Sequence, residues 1–179
     1  MTDTPSNYAQ QRSPTSLEIA HQLPGPIERV WDHLVDGELR KLWFCGGATA
    51  DHVGGKIVLE FDHSRLSTRA TPPEHEGGGR VTNEGEVLRF EPPNVFAFNW
   101  FEHDGVEHSR VTITLTEKNG GVELHLLHER LEKRTDRVSV AAGWHAHFDL
   151  LGDLLRGEPV RDFWDVHLAL EKHYDDALP

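Results

Sequence analysis

Residues 111–155 read VTITLTEKNGGVELHLLHERLEKRTDRVSVAAGWHAHFDLLGDLL, and two different periodicities meet in this stretch. Val111, Ile113 and Leu115 alternate with Thr112, Thr114 and Thr116; beyond Asn119-Gly120, Val122, Leu124 and Leu126 alternate with Glu123 and His125. A repeat of two marks strands with one apolar face, and Asn-Gly is the dipeptide of a tight hairpin turn. Further on, Val140, Trp144, His147, Phe148, Leu151 and Leu155 recur at i, i+4, i+7 and i+8, the stripe of an amphipathic helix from about Val138 to Leu155. A sheet that is greasy on one side and wet on the other needs a cover, and this helix supplies it.

Upstream the same alternation repeats. Ile57, Leu59 and Phe61 follow Gly54-Gly55, Val87 and its neighbours run into Pro92-Pro93, and Phe96, Phe98 and Trp100 alternate with Ala97 and Asn99. Thr15 to Leu23 suits a first strand, closed by Pro24-Gly25-Pro26. Ile27, Val30, Trp31, Leu34 and Val35 then switch to helical spacing, with Pro26 placed as a first helical residue. Past Gly37, the residues Leu39, Leu42 and Trp43 make a second short apolar face that stops at Cys45-Gly46-Gly47.

The ends and one insertion stand apart. Residues 1–14 are polar, with two prolines and no periodicity, and are expected to be a disordered leader. Asp62 to Arg80, with Pro72-Pro73 and Gly77-Gly78-Gly79, exceeds an ordinary hairpin turn and reads as a mobile flap. Gly157 and Pro159 end the long helix, and Phe163, Trp164, His167, Leu168 and Tyr174 mark an appended helix at about residues 160–176. The expectation is one domain over residues 15–179, with its core in residues 15–155.

Composition narrows the function classes. A chain of 179 residues suits one core, and acidic residues outnumber basic ones by 30 to 18, which repels nucleic acid and anionic membrane surfaces. No apolar run approaches the ~20 residues that cross a bilayer. The lone Cys45 and the absence of a secretory signal make the cytoplasm the expected location.

Strand, two small helices, a run of antiparallel strands and a long helix is the order of the helix-grip fold, an α+β class in which a curved antiparallel sheet grips the long helix. The segments PIERVWDHLVDGELRKLW (26–43), HVGGKIVLEF (52–61), GEVLRFEPPNVFAFNW (85–100) and GWHAHFDLLGDLL (143–155) resemble the START-like (SRPBCC) superfamily, in the branch of homologues of the heat-shock-protein ATPase activator. The final FWDVHLALEKHY (163–174) is similar to tails of bacterial members. The resemblance implies an internal cavity for a small hydrophobic molecule, since relatives hold lipids, polyketides or hormones. It also implies two alternatives: contact with a chaperone ATPase, through similarity to the activator's second half, and a cyclase- or dehydratase-like activity.

A bent sheet closed by a helix leaves a wedge-shaped space. The expected ligand-binding wall is Trp43, Phe44, Phe61, Phe98, Trp100, Trp144, Phe148 and Leu151, residues that would equally fill a solid core. His128 continues the inward register of Val122, Leu124 and Leu126, and His147 shares the inward stripe of the long helix, so both would bring polar tips into the space, to orient a ligand or act as a base. No catalytic triad, phosphate loop, cofactor site or metal cage is read. The His145-x-His147 pair with Asp149 looks like a metal motif, but on a helix His145 faces Asp149 while His147 points elsewhere. Cys45 has no adjacent base and reads as a small apolar filler, and Glu74-His75-Glu76 reads as solvated loop. Phe163 and Trp164 are expected either to form a symmetric homodimer contact or to pack on their own sheet, the two being equally open.

Overall fold

Val122, Leu124, Leu126 and His128 are all buried, and the residues between them are less so, because β7 (Gly121–Glu129) is a central strand with only one face on the core. The computed structural model describes residues 7–78, 80–101 and 107–179. The other elements are β1 (Gln10–Ser13), β2 (Ser16–Leu23), α1 (Ile27–Val35), α2 (Gly37–Arg40), β3 (Lys56–Asp62), β4 (Arg80–Glu91), β5 (Val95–Phe101), β6 (Glu107–Lys118), α3 (Arg134–Arg156) and α4 (Phe163–Ala177). The strands form one seven-stranded antiparallel sheet in the order β1-β2-β7-β6-β5-β4-β3.

Register turns the alternation into rows of core. Ile19 lies opposite Leu126, Leu126 opposite Ile113, and Ile113 opposite Phe96; one row along, Leu17, His128, Val111 and Phe98 are paired in the same way. All eight are buried. A slip of one residue in any strand would turn its apolar set to water, so the pairing is strongly specified.

The long helix α3 is buried around most of its circumference, more than its sequence stripe implies. The sheet takes Trp144, Phe148 and Leu151, while α4 packs on the opposite side and covers His145 with Tyr174, whose hydroxyl lies 2.9 Å from His145 Nδ1. Gly157 closes α3 at φ 70°, returning its N–H to the carbonyls of Asp153 and Leu154, a conformation that glycine adopts without strain.

Arg40 fixes the approach to the cavity. Its guanidinium, 2% exposed, donates to the carbonyls of Leu34, Cys45, Gly46, Gly47 and Val58 and to Thr49 Oγ1. Six acceptors around one buried cation lock the loop after α2 against β3, which sets the position of Phe44. Cys45 is buried beside it with its thiol pushed up to about 12 by burial, in keeping with an inert filler.

Two expectations are corrected, and one pair of alternatives is decided. Within the expected disordered leader, Gln10–Ser13 form an edge strand on β2, and the Ala9 N–H donates to Tyr174 Oη at 2.7 Å; residues 1–6 lie outside the described residues. Polar composition hid this because an edge strand needs backbone pairing, not apolar side chains. Of the two alternatives for Phe163 and Trp164, the structure has the internal one: each is 2% exposed, packed inside the molecule. The segment read as a mobile flap is tied down by Asp162, which accepts from Ser67 Oγ, from the Thr68 N–H at 2.7 Å and from Thr68 Oγ1 at 3.1 Å, while the Phe163 N–H donates to Leu66 O. In that segment, 3-10 turns span His63–Arg65 and Pro73–Gly78, and Gly79 lies outside the described residues.

Candidate functional site

A cavity of about 370 Å³ lies between α3, the sheet and α4, within the roughly 300–1,000 Å³ range of small-molecule sites. Helix α3 contributes Ser139, Val140, Gly143, Trp144 and His147; the sheet contributes Phe61, Trp100 and His128. Phe44 enters from the loop after α2, His63, Glu74 and His75 from the segment between β3 and β4, and Phe163, Trp164 and His167 from α4.

The walls are stacked rings. Phe61 lies parallel to Trp100, with centroids 5.6 Å apart, and Trp100 parallel to His128 at 5.8 Å; Phe44 packs on Trp144 at 4.7 Å. On the other side, Phe163 is sandwiched between His63 at 4.5 Å and His147 at 4.6 Å. Offset stacking of this kind adds about 0.5–1.5 kcal/mol per pair beyond area burial. Gly143 keeps the space open: a Cβ built there meets nothing within 4 Å. Glycine inside a helix costs about 1 kcal/mol relative to alanine, and here it lies on the cavity wall.

The two inward histidines are in defined states. The Trp144 indole can only donate, so its 3.1 Å bond to His128 Nδ1 leaves the proton of the neutral ring on Nε2, which donates to Ser109 Oγ at 2.9 Å. Burial holds His128 down to about 3. With both nitrogens engaged, the His128 ring is fixed in one tautomer and orientation. His147 donates from Nδ1 to the Trp43 carbonyl at 2.7 Å, which puts the lone pair of the neutral ring on Nε2. Burial, with His63 and His167 nearby, sets its affinity for protons well below the ordinary histidine value.

Six of the ten expected site residues meet here: Phe44, Phe61, Trp100, His128, Trp144 and His147. The other four are solid core. Trp43 donates its indole N–H to the His33 carbonyl and stacks between Phe44 and Phe148; Phe98 packs between Phe96 and Trp100; Phe148 lies under His21 and Trp43; Leu151 is fully buried. Inward orientation alone does not distinguish a wall from a filled core, because both are apolar. The alphabetic pattern also missed His63, His75, Phe163, Trp164 and His167 as site residues, because they come from a segment expected to be a flap and from the appended helix. Glu74 and His75, taken as solvated loop, line the cavity, and His75 Nε2 lies 3.1 Å from Glu171 Oε2 on α4; the Glu76 side chain lies outside the described residues.

Among the described residues, pairs of histidines also meet carboxylates at two places. His145 and His21 flank Asp149 Oδ1 at 4.0 and 3.9 Å, while Arg161 holds the other carboxylate oxygen at 3.0 Å, so the helical pairing of His145 with Asp149 is as the spacing requires. The other cluster is His75, His167 and Glu171, with one donor atom of each within 4.8 Å of the other two.

This fold, with its sheet wrapped on a C-terminal helix around a ring-lined cavity, is that of a helix-grip protein of the START-like superfamily. More narrowly, a family model described as Activator of Hsp90 ATPase homolog 1-like protein matches residues 24–156, and the chain belongs to that family. The solution structure of the protein encoded by gene BPP1335 of Bordetella parapertussis is 34% identical, with 99% of this chain and 96% of that chain covered at a TM-score of 0.77. CalU16 from Micromonospora echinospora is 22% identical over 90% of this chain and 86% of that one, with a TM-score of 0.67. The Aha1 dimer of Colwellia psychrerythraea is 12% identical over 78% and 95%, with a TM-score of 0.58. These last two share the fold. No curated protein matches.

Proposed function

We propose that the protein binds a small, planar, largely apolar molecule in the cavity beneath α3. The observation that carries this reading is the cavity of about 370 Å³ lined by the rings of Phe44, Phe61, Trp100 and Trp144, into which Gly143 on α3 places no side chain. Flat rings favour a flat guest. The neutral imidazole of His147 supplies an acceptor that would orient it, and the Trp164 indole N–H, buried without a hydrogen-bond partner among the described residues, supplies a donor.

Three tryptophans in the wall make the test direct. Displacement of a fluorescent lipophile, and quenching of the intrinsic emission, should report binding by the wild-type protein, and Gly143→Leu should abolish it while preserving the circular dichroism spectrum. Equal binding by wild type and Gly143→Leu, or no binding across a panel of aromatic and aliphatic lipophiles, would overturn the proposal.

The family match supports a second reading, a module that contacts a chaperone ATPase and stimulates its turnover. An ATPase assay and pull-down with an Hsp90-type chaperone test it, and Gly143→Leu should leave that activity intact, which separates the two readings.

A further inference from the structure

Glu171 is set apart among the acidic residues of α4 by its partner. Asp165 pairs with Arg69, Asp175 with Arg134, and Asp176 with Lys172. Glu171, among the described residues, is paired with a histidine, His75, at 3.1 Å. One turn earlier on the same helix face stands His167, which is 5% exposed and whose Nδ1 has no hydrogen-bond partner among the described residues. His75 reaches the pair from the 3-10 segment Pro73–Gly78, held in place by stacking on Trp164 at 5.1 Å.

We propose that His75, His167 and Glu171 form a binding site for a divalent first-row transition-metal ion such as zinc, built into the cavity wall. Two imidazoles and a carboxylate are a ligand set that zinc takes with a further position left open. Their donor atoms lie within 4.8 Å of one another, against the roughly 3.3 Å that a tetrahedral ion with ~2.0–2.1 Å bonds requires, so closure needs up to about 1.5 Å of movement. That movement is available to His75, which sits on a short turn rather than on a strand. His75 and His167 also line the cavity, and the open position would there meet a guest bearing an oxygen or nitrogen donor.

His167 Nδ1, buried with no hydrogen-bond partner among the described residues, is a nitrogen that a bound ion would satisfy. The strong negative net charge, −12, further favours a cation.

The probe is the metal alone, so the outcome is independent of whether the cavity holds an organic guest. Full-length, untagged, chelator-treated protein should bind one equivalent of Co2+ with the visible absorption of a four- or five-coordinate nitrogen and oxygen site, and Zn2+ should displace it. His75→Ala and Glu171→Gln, both at half-buried positions, should each lower the affinity more than about 10-fold with an unchanged circular dichroism spectrum. Asp175→Asn, on the same helix but paired with Arg134, should bind as wild type does. In the wild-type protein, with no substitution needed, Co2+ should broaden the ring signals of His75 and His167 before those of His21 and His145. Absence of binding, or binding unaltered in His75→Ala and Glu171→Gln, would overturn the proposal and leave the trio as a latch between the β3–β4 segment and α4.

Discussion

Arg40 carries a positive charge into the interior and meets carbonyl oxygens instead of a carboxylate. Its planar fork suits that task, since its N–H groups diverge in fixed directions, whereas a lysine ammonium at the same place would reach fewer acceptors and leave the rest buried without donors. Arg40→Lys should therefore lower stability by about 2–4 kcal/mol. Urea unfolding followed by tryptophan fluorescence measures this, and a loss below about 0.5 kcal/mol would show that the loop holds itself in place. The periodicity around Arg40 gave no hint of this role: it lies between Leu39 and Leu42 in what reads as a small amphipathic turn, and its acceptors come from residues up to Val58.

At the scale of elements, the join between the β3–β4 segment and α4 depends on Asp162. It caps α4 by accepting from the Trp164 N–H at 3.1 Å and holds Ser67 and Thr68 with the same carboxylate. Burial works to raise its proton affinity, but the hydrogen bonds from Ser67 and Thr68 win and bring it down to about 2. Because the folded value lies below the ordinary carboxylate value of about 3.9, the tether is fully present above that pH and is lost as the pH falls through about 2. Asp162→Ala should remove cap and tether together, costing about 1–2 kcal/mol. Hydrogen exchange should accelerate at Thr68 and Phe163 and stay unchanged in β6 and β7; unaltered exchange at Thr68 would mean that Leu66 and His75 suffice to dock the segment. The length and glycine content of residues 62–80 announce an unusual connection, but an aspartate some eighty positions later decides where it rests.

For the molecule as a whole, buried neutral histidines couple stability to mild acid. Burial brings His21 to about 4 and His128 to about 3, and it sets His147 well below the ordinary value. Each is lowered on folding, so the unfolded chain binds more protons below about pH 6.5; stability is fully present above that pH and falls as the pH drops toward the folded values. Each such histidine steepens the fall by up to about 1.4 kcal/mol per pH unit. Unfolding free energies measured between about pH 7 and pH 5 should decline before any carboxylate titrates, with proton uptake on unfolding; a flat profile over that window would mean that these rings are hydrated.

Strands β2 to β7, the helices α1, α3 and α4 and the wrapping of sheet around α3 follow from periodicity, because a repeat of two and a repeat of 3.6 each present one continuous apolar face and only one arrangement buries both. Phe44, Phe61, Trp100, Trp144, His128 and His147 were legible as inward residues for the same reason. Whether an inward ring borders empty space or another ring was decided in three dimensions, by where Gly143 leaves a gap and where Trp43, Phe98, Phe148 and Leu151 close it. The histidines of the β3–β4 segment and of α4 join the cavity only through tertiary packing, since contacts across nearly a hundred residues leave no period in the chain.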